Sequence, residues 1–225
     1  MKRRRTRPRV IGLTGSIGMG KSTAAGMLRE AGLPVFDADA EVHRMMAPGG
    51  AAVAPIEAAF PGTICKGAVN RRALGDLVFA DTEKLRQLER IVHPLVGQAE
   101  RAFLRRAARE RRRAVVRDVP LLFETGGEKR CDWTVVVSAP AHIQAARVLA
   151  RPGVTRELLE SVRAKQTPDA EKRKRADVVI PTGAGRRLTR DRLKAMLRRR
   201  RQRRHSKRSP RIARRRIGKW RRANA

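Results

Sequence analysis

From Val10 to Thr14 a short apolar run feeds a glycine-rich turn, and from Ser22 to Ala31 apolar positions recur at helical spacing until Gly32. This predicts strand, loop and helix. Leu33 to Phe36 is a second short strand, ending at Asp37-Ala38-Asp39 with two acids at its carboxyl end. From Ala40 to Arg113 the pattern is helical, with turn signals at Pro48-Gly49-Gly50, Pro61-Gly62 and Gly67, and no strand is evident. Residues of about 40–113 therefore read as a helical insertion. Strands resume at Ala114 to Val119, Thr134 to Ser138 and Asp177 to Ile180, with helices between them. Such alternation predicts an α/β fold with a parallel sheet flanked by helices on both faces. Arg117 interrupts one of these apolar strands, which places the strand at an edge or turns Arg117 toward a ligand. Leu188, Leu193, Met196 and Leu197 recur at helical spacing, so the folded unit should span 10–197. Beyond it Ile212, Ile217 and Trp220 are scattered among arginines, too few to offset the entropy of ordering the chain. Residues 198–225 are expected to form a disordered, arginine-rich tail.

At 225 residues the chain suits one α/β domain whose core stands without disulfides or a structural metal. Cys65 and Cys131 are far apart and form no Cys-x-x-Cys pair, which fits a reducing cytoplasm. No apolar run reaches the roughly 18 residues of a membrane span. Met1 to Arg9 imitates the opening of a signal peptide until glycines and Lys21 cut the apolar stretch short, so residues 1–9 read as a basic extension. The net charge is +33, and its distribution matters more than its size. Residues 1–9 carry six Lys/Arg, and residues 186–225 carry twenty against Asp191 alone. The remaining 28 basic and 20 acidic residues give the body +8, which suits polyphosphate substrates. The ends suit RNA or an acidic partner, held by counterion release.

Gly15-Ser16-Ile17-Gly18-Met19-Gly20-Lys21-Ser22 matches G-x-x-x-x-G-K-[ST] between a strand and a helix. The glycines let backbone N–H groups turn inward around phosphate oxygens, and the helix opening near Lys21 adds its positive end. The motif, with Thr23 following, is expected to bind ATP: Lys21 reaches the β- and γ-phosphates and the Ser22 hydroxyl ligates Mg²⁺. Asp37 and Asp39 lie at the same sheet edge, where open α/β sheets bind ligands. Strand alternation would point both side chains the same way. One carboxylate could take the proton of an attacking hydroxyl, the better placed being Asp39. The plainer reading is that one of them caps the helix starting near Ala40.

Ile11-Gly12-Leu13-Thr14-Gly15 running into the P-loop, followed by Asp37-Ala38-Asp39, resembles the opening of dephospho-coenzyme A kinases. Arg71-Arg72-Ala73-Leu74-Gly75, Val78-Phe79-Ala80-Asp81, and Leu88-Glu89 to His93-Pro94 are similar to that family's acceptor-binding helical insertion. Asp118-Val119-Pro120-Leu121-Leu122-Phe123-Glu124 resembles its strand-to-loop signature beside the pantetheine and ribose. Gln144, Arg147 and Arg151, then Gln166, Lys172 and Ala176-Asp177, resemble its lid and adenine-side segments, here about 144–175. The resemblance covers about residues 10–182. It implies a P-loop kinase fold and ATP-dependent phosphorylation of the ribose 3′-hydroxyl of dephospho-CoA, the last step of coenzyme A biosynthesis. It also implies acceptor contacts from Asp37, Arg71, His93, Leu121, Leu122 and Glu124. Three positions depart from the family pattern: Ser16 replaces a second glycine, Asn70 an Asp, and Thr182 an Asn.

Arg147 and Arg151 are four apart and share one helix face. A forked guanidinium suits the charge spread over a transferring phosphoryl group, so Arg147 reads as a nucleotide contact and Arg151 as catalytic. Gly153 is a candidate lid hinge. Against this stands the plain view that they are two charges among 54 basic residues. Another small-substrate P-loop kinase, such as a nucleoside monophosphate kinase, would share the P-loop and lid arginines but lack the Arg71 to Pro94 block. A switch GTPase is disfavoured, because the chain has no Asn-Lys-x-Asp or Asp-x-x-Gly segment. A protein devoted to nucleic acid fits the charge but not the body, which has no Tyr and only 3% aromatics for base stacking.

Overall fold

A computed structural model describes residues 7–79 and 81–206, with side chains through Arg199. Strand β1 (Arg9–Thr14) is apolar enough to be buried on both faces and takes the centre of the sheet. Around it β2 (Val35–Asp37), β5 (Ala114–Asp118), β6 (Trp133–Ser138) and β7 (Val178–Pro181) pair in parallel in the order β2-β5-β1-β6-β7. Continuous apolar strands demand cover on both sides. Helices α1 (Lys21–Glu30) and α9 (Arg186–Ser206) supply one layer, where Met27, Leu28, Leu193 and Met196 join Ile11, Leu13 and Val135 in the main core. On a separate patch Val10 and Val115 pack with Ala107, Phe103 and Leu104 of the long helix α5 (Thr82–Arg109).

The insertion has its own core. Helices α2 (Ala38–Met45), α3 (Val53–Ala59) and α4 (Arg71–Val78) pack Met45, Ile56, Leu74 and Val78 against the Leu85, Leu88 and Val92 stripe of α5. Asn70 caps α4 by accepting from the Ala73 N–H at 3.2 Å, a task Asn and Asp perform equally well. The departure at Asn70 therefore leaves the local structure intact. The expectation of no strand in this segment was incorrect. β3 (Ile64–Cys65) and β4 (Ala68–Val69) form an antiparallel hairpin. Its two connecting residues, Lys66 and Gly67, both have positive φ, the tight-turn geometry that matches strand twist.

Helices α6 (Ala141–Leu149), α7 (Arg156–Ala164) and α8 (Asp169–Arg175) lie between β6 and β7. Gly153 sits between the first two at φ 73°, a conformation glycine adopts without strain. Helix α9 continues to Ser206, past the boundary expected at Leu197. Leu193, Met196 and Leu197 anchor its near end, and an arginine-rich stretch is compatible with continuing a helix already begun. The expected tail from residue 207 onward lies outside the described residues. Among the described residues no helix is long and apolar enough to cross a membrane.

Arg117 fits neither alternative drawn from the sequence. β5 lies inside the sheet, and the Arg117 side chain is buried with its Nε 3.0 Å from Glu100 Oε1 of α5. It also donates to the Gly127 carbonyl at 3.3 Å. The arginine thus fastens the sheet to the insertion's long helix. Removing one member of such a pair strands the other charge, at about 3–5 kcal/mol, whereas replacing both with apolar groups costs far less. Glu100→Ala is expected to lower stability by about 3 kcal/mol. Chemical denaturation should show a clearly smaller loss for Glu100→Leu combined with Arg117→Met.

Candidate active site

The loop between β1 and α1 surrounds a cavity of about 600 Å³ at the carboxyl edge of the sheet. Its sharp path depends on glycine at two points. Gly18 and Gly20 have φ of 74° and 84°, and a Cβ on Gly18 would lie 2.5 Å from Val148 Cγ2. Ser16 is not among the positive-φ residues, so it replaces the family's glycine without backbone strain. Residues Gly15 to Thr23 all line the cavity, and Asp39, Arg147, Arg151 and Gln166 complete its wall with Pro120, Thr182 and Arg186.

Helix α6 and the bend between α7 and α8 hold the loop in place. Ile17 is bound on both sides, its carbonyl accepting from Gln144 Nε2 at 2.8 Å and its N–H donating to Gln166 Oε1 at 3.1 Å. Arg147 donates to the carbonyls of Thr182 at 2.7 Å and Gly18 at 3.4 Å. Thr182, where the family often has Asn, is buried and donates its hydroxyl to the Met19 carbonyl at 2.8 Å. Arg147 thus meets neutral acceptors, leaving its charge uncancelled. Arg151 lies exposed, two residues before Gly153, at the rim of the same cavity.

Two acids separate by role. Asp37 caps α2, accepting from the Ala40 N–H at 3.0 Å, and meets Arg29 at 3.4 Å. Asp39 is free of that task and lines the cavity. Strand alternation is not what orients them, because α2 begins at Ala38 and puts Asp39 in its first turn. A third acid had no assigned role. Asp118 ends β5, opposite both Leu13 and Asp37 in register, and its Oδ1 receives Lys21 Nζ at 2.7 Å. Burial pushes its carboxyl pKa up, Lys21 draws it back, and Asp37 and Asp39 add to the rise, leaving it above the ordinary value. The signal was in the sequence: an acid terminating an apolar strand beside the P-loop strand, the position that serves the metal in P-loop enzymes. Lys21 is only 16% exposed and is paired with that acid.

The remaining acceptor candidates lie apart from this cavity. Leu122 is fully buried and cannot touch a ligand; it fills the space against Gly12. Glu124 faces the lid instead, receiving the Thr167 N–H at 2.8 Å and Lys172 Nζ at 2.9 Å. Burial alone would raise its pKa, but the Lys172 ammonium and the backbone N–H hold it below the usual range. Lys172 is fully buried, which only such a partner makes tolerable. Leu121 is 40% exposed, next to cavity-lining Pro120. Arg71 contacts His43 Nδ1 at 3.3 Å on the insertion surface, and exposed His93 shares a separate groove with Arg86, Glu89 and Arg90.

Comparison with known proteins agrees with this geometry. Residues 9–186 match the family model for dephospho-CoA kinase. The dephospho-CoA kinase of Paramagnetospirillum magneticum is 64% identical over 73% of this chain and 78% of its own. That of Rhodospirillum rubrum is 57% identical over 78% and 84%. A protein of known crystal structure from Thermus thermophilus superposes with a TM-score of 0.74 at 40% identity, over 85% of this chain and 97% of its own. On a family match spanning most of its length and relatives more than half identical, the chain belongs to the dephospho-CoA kinase family.

Proposed function

We propose that the cavity binds ATP with Mg²⁺ and that the γ-phosphoryl group passes to the ribose 3′-hydroxyl of dephospho-CoA. The observation that carries this reading is the convergence of the P-loop, Asp39, Arg147 and Arg151 on one cavity. The backbone N–H groups of Gly15 to Ser22 receive the phosphates, aided by the positive end of α1. Lys21 exchanges its contact with Asp118 for phosphate oxygens, or spans both. The Ser22 hydroxyl and the Asp118 carboxylate fit Mg²⁺, a hard ion that takes oxygen donors and keeps much of its shell as water and phosphate. Bound there, it would neutralise charge across the β- and γ-phosphates. Asp39 accepts the hydroxyl proton as the acceptor oxygen bonds to phosphorus and the bridging bond to ADP breaks. Arg147 and Arg151 stabilise the charge that develops on the transferring group.

The acceptor approaches from the insertion, past Leu121 and along the surface carrying Arg71 and His93. Neither Asp37 nor Glu124 needs to touch it; their partners support structural duties. Free Cys65 and Cys131 suit a reducing cytoplasm. The test of the substrate is ATP consumption and CoA formation with dephospho-CoA beside AMP and CMP. Phosphorylation of a nucleotide with no CoA product would overturn the assignment.

Lys21→Ala is expected to reduce turnover by about a hundredfold or more. It also leaves Asp118 buried alone, which raises that carboxyl further. A raised folded-state pKa means that the native state holds more protons than the unfolded one, so stability falls as pH climbs between the two values. The stability gap between this variant and the parent should therefore be wider at high pH than at low pH, as urea titrations would show.

Asp39→Asn should cut turnover by roughly 10² to 10⁴ while ATP affinity holds, the signature of a lost general base. Isothermal titration with ATP beside steady-state kinetics separates the two quantities. Loss of ATP binding with normal saturated turnover would reverse the roles of Asp39 and Asp37.

Arg151→Ala should lower turnover at saturating substrates, with Arg151→Lys a partial rescue, because an ammonium lacks the planar fork. Full activity in both variants would reduce Arg151 to a surface charge.

A further inference from the structure

The opposite edge of the sheet carries a second concentration of positive charge that the kinase reaction does not use. β1 and β5 start side by side, with Arg9 in register with Ala114 and its N–H bound to the Arg113 carbonyl at 3.1 Å. That pairing brings the N-terminal segment and the turn between α5 and β5 together. Arg7, Arg9, Arg109, Arg111, Arg112 and Arg113 are all exposed there. Glu110 and Asp132 are the acids beside them: Asp132 holds Arg7 at 3.0 Å and Glu110 holds Arg112 at 2.9 Å. Among the described residues, Arg9, Arg109, Arg111 and Arg113 have no ion pair. Helix α9 adds charge at the same end. It starts at the active-site cavity, lies against Met27, Leu28 and Ala31 at the far end of α1, and then runs on through exposed Arg198 and Arg199. The family match stops at residue 186, so this helix beyond its first residue lies outside the segment matched to the kinase model.

We propose that this edge is a binding surface for the phosphate backbone of double-stranded nucleic acid. The charges are guanidinium groups fixed to strand ends and a helix end, and their planar forks match phosphate oxygens better than ammonium groups do. Among the described residues at the strand starts and at the far end of α9, no large apolar side chain is exposed, which disfavours a lipid surface as the occupant. The edge segments from 7–9 and 109–113 contain no aromatic residue on which unpaired bases could stack. What remains is backbone recognition, independent of sequence and steeply dependent on salt.

The test uses the full chain with Arg9, Arg109, Arg111 and Arg113 changed together to Gln, against a charge-matched control with Arg156, Lys165, Arg173 and Lys174 changed to Gln. Binding to RNA and DNA duplexes of one sequence is followed by fluorescence anisotropy across a KCl series. The edge variant should bind at least one duplex roughly a hundredfold more weakly at low salt, and its salt slope should shrink by about three to four counterions. Its melting temperature and kinase activity should match the parent. The control should lose much less affinity. Equal losses in the two variants would reduce the effect to net charge, and an unchanged slope in the edge variant would assign binding elsewhere; either overturns the proposal. So does preferential, edge-dependent binding to phosphatidylserine vesicles. The relative affinity for the RNA and DNA duplexes identifies the backbone favoured, and because the altered arginines lie outside the cavity, kinase results stand or fall separately.

Discussion

The contact on which the site depends is the ion pair between Lys21 and Asp118. A carboxylate at the end of an interior strand is expensive to keep charged, and the register that places Asp118 beside Asp37 adds a second negative group nearby. Lys21 offsets that cost from the first turn of α1. The pair therefore links β5 to the helix that follows the glycine-rich loop and fixes the lysine at the wall of the cavity. Its strength is bounded by the same burial that makes it necessary. A polyphosphate bearing several negative charges competes with one carboxylate for the ammonium, so the contact is suited to exchange.

A second pair extends this order to the lid. The loop that follows Asp118 passes Pro120, whose carbonyl accepts from the Thr14 hydroxyl at 2.8 Å, and reaches Glu124, which grips Lys172 and the Thr167 N–H. Arg175 stacks over Phe123 and pairs with Glu128 from the same loop. Gln166 sits just before the gripped segment and binds Ile17 of the P-loop. A closed path of polar contacts thus joins the end of β5, the lid and the phosphate-binding turn. These contacts grade from the fully buried Lys172 to the half-exposed Arg175, so the inner end of the path is where an unpaired group would cost most.

The strands and the P-loop were legible because their signals are local: apolar runs, glycines at a tight turn, and a Lys-Ser pair opening a helix. The Asp37 cap was legible only as one alternative, since the sequence does not say which of two nearby acids turns toward the backbone. The packing of Leu122 and the partners of Glu124 were hidden for a different reason. They belong to a loop with a family-like sequence, but side-chain direction in an irregular segment is set by contacts remote in the chain, here Gly12 and Lys172. The hairpin at Lys66-Gly67 was hidden by its length, because two-residue strands carry no periodicity to detect. Arg117 shows the same limit: an arginine in an apolar strand announces that it needs a partner, but Glu100 lies on a helix whose packing the sequence does not specify.

In a chain with 54 basic residues, composition does not separate catalytic charge from structural charge. Partners do. Arg117 is neutralised by Glu100 and Lys172 by Glu124, so their charges are spent on holding elements together. Arg147 is held by carbonyl oxygens of Gly18 and Thr182, which fix its direction without cancelling its charge. A guanidinium so placed presents its field to the cavity at no further cost of reorganisation, the condition under which electrostatic stabilisation of a transition state is largest. Lys21 stands between these cases: an acid holds it, yet that acid is destabilised by its own burial and by two neighbouring carboxylates. The pair is close enough to position the lysine, and the burial that disfavours the charge on its acid limits how strongly that lysine is held.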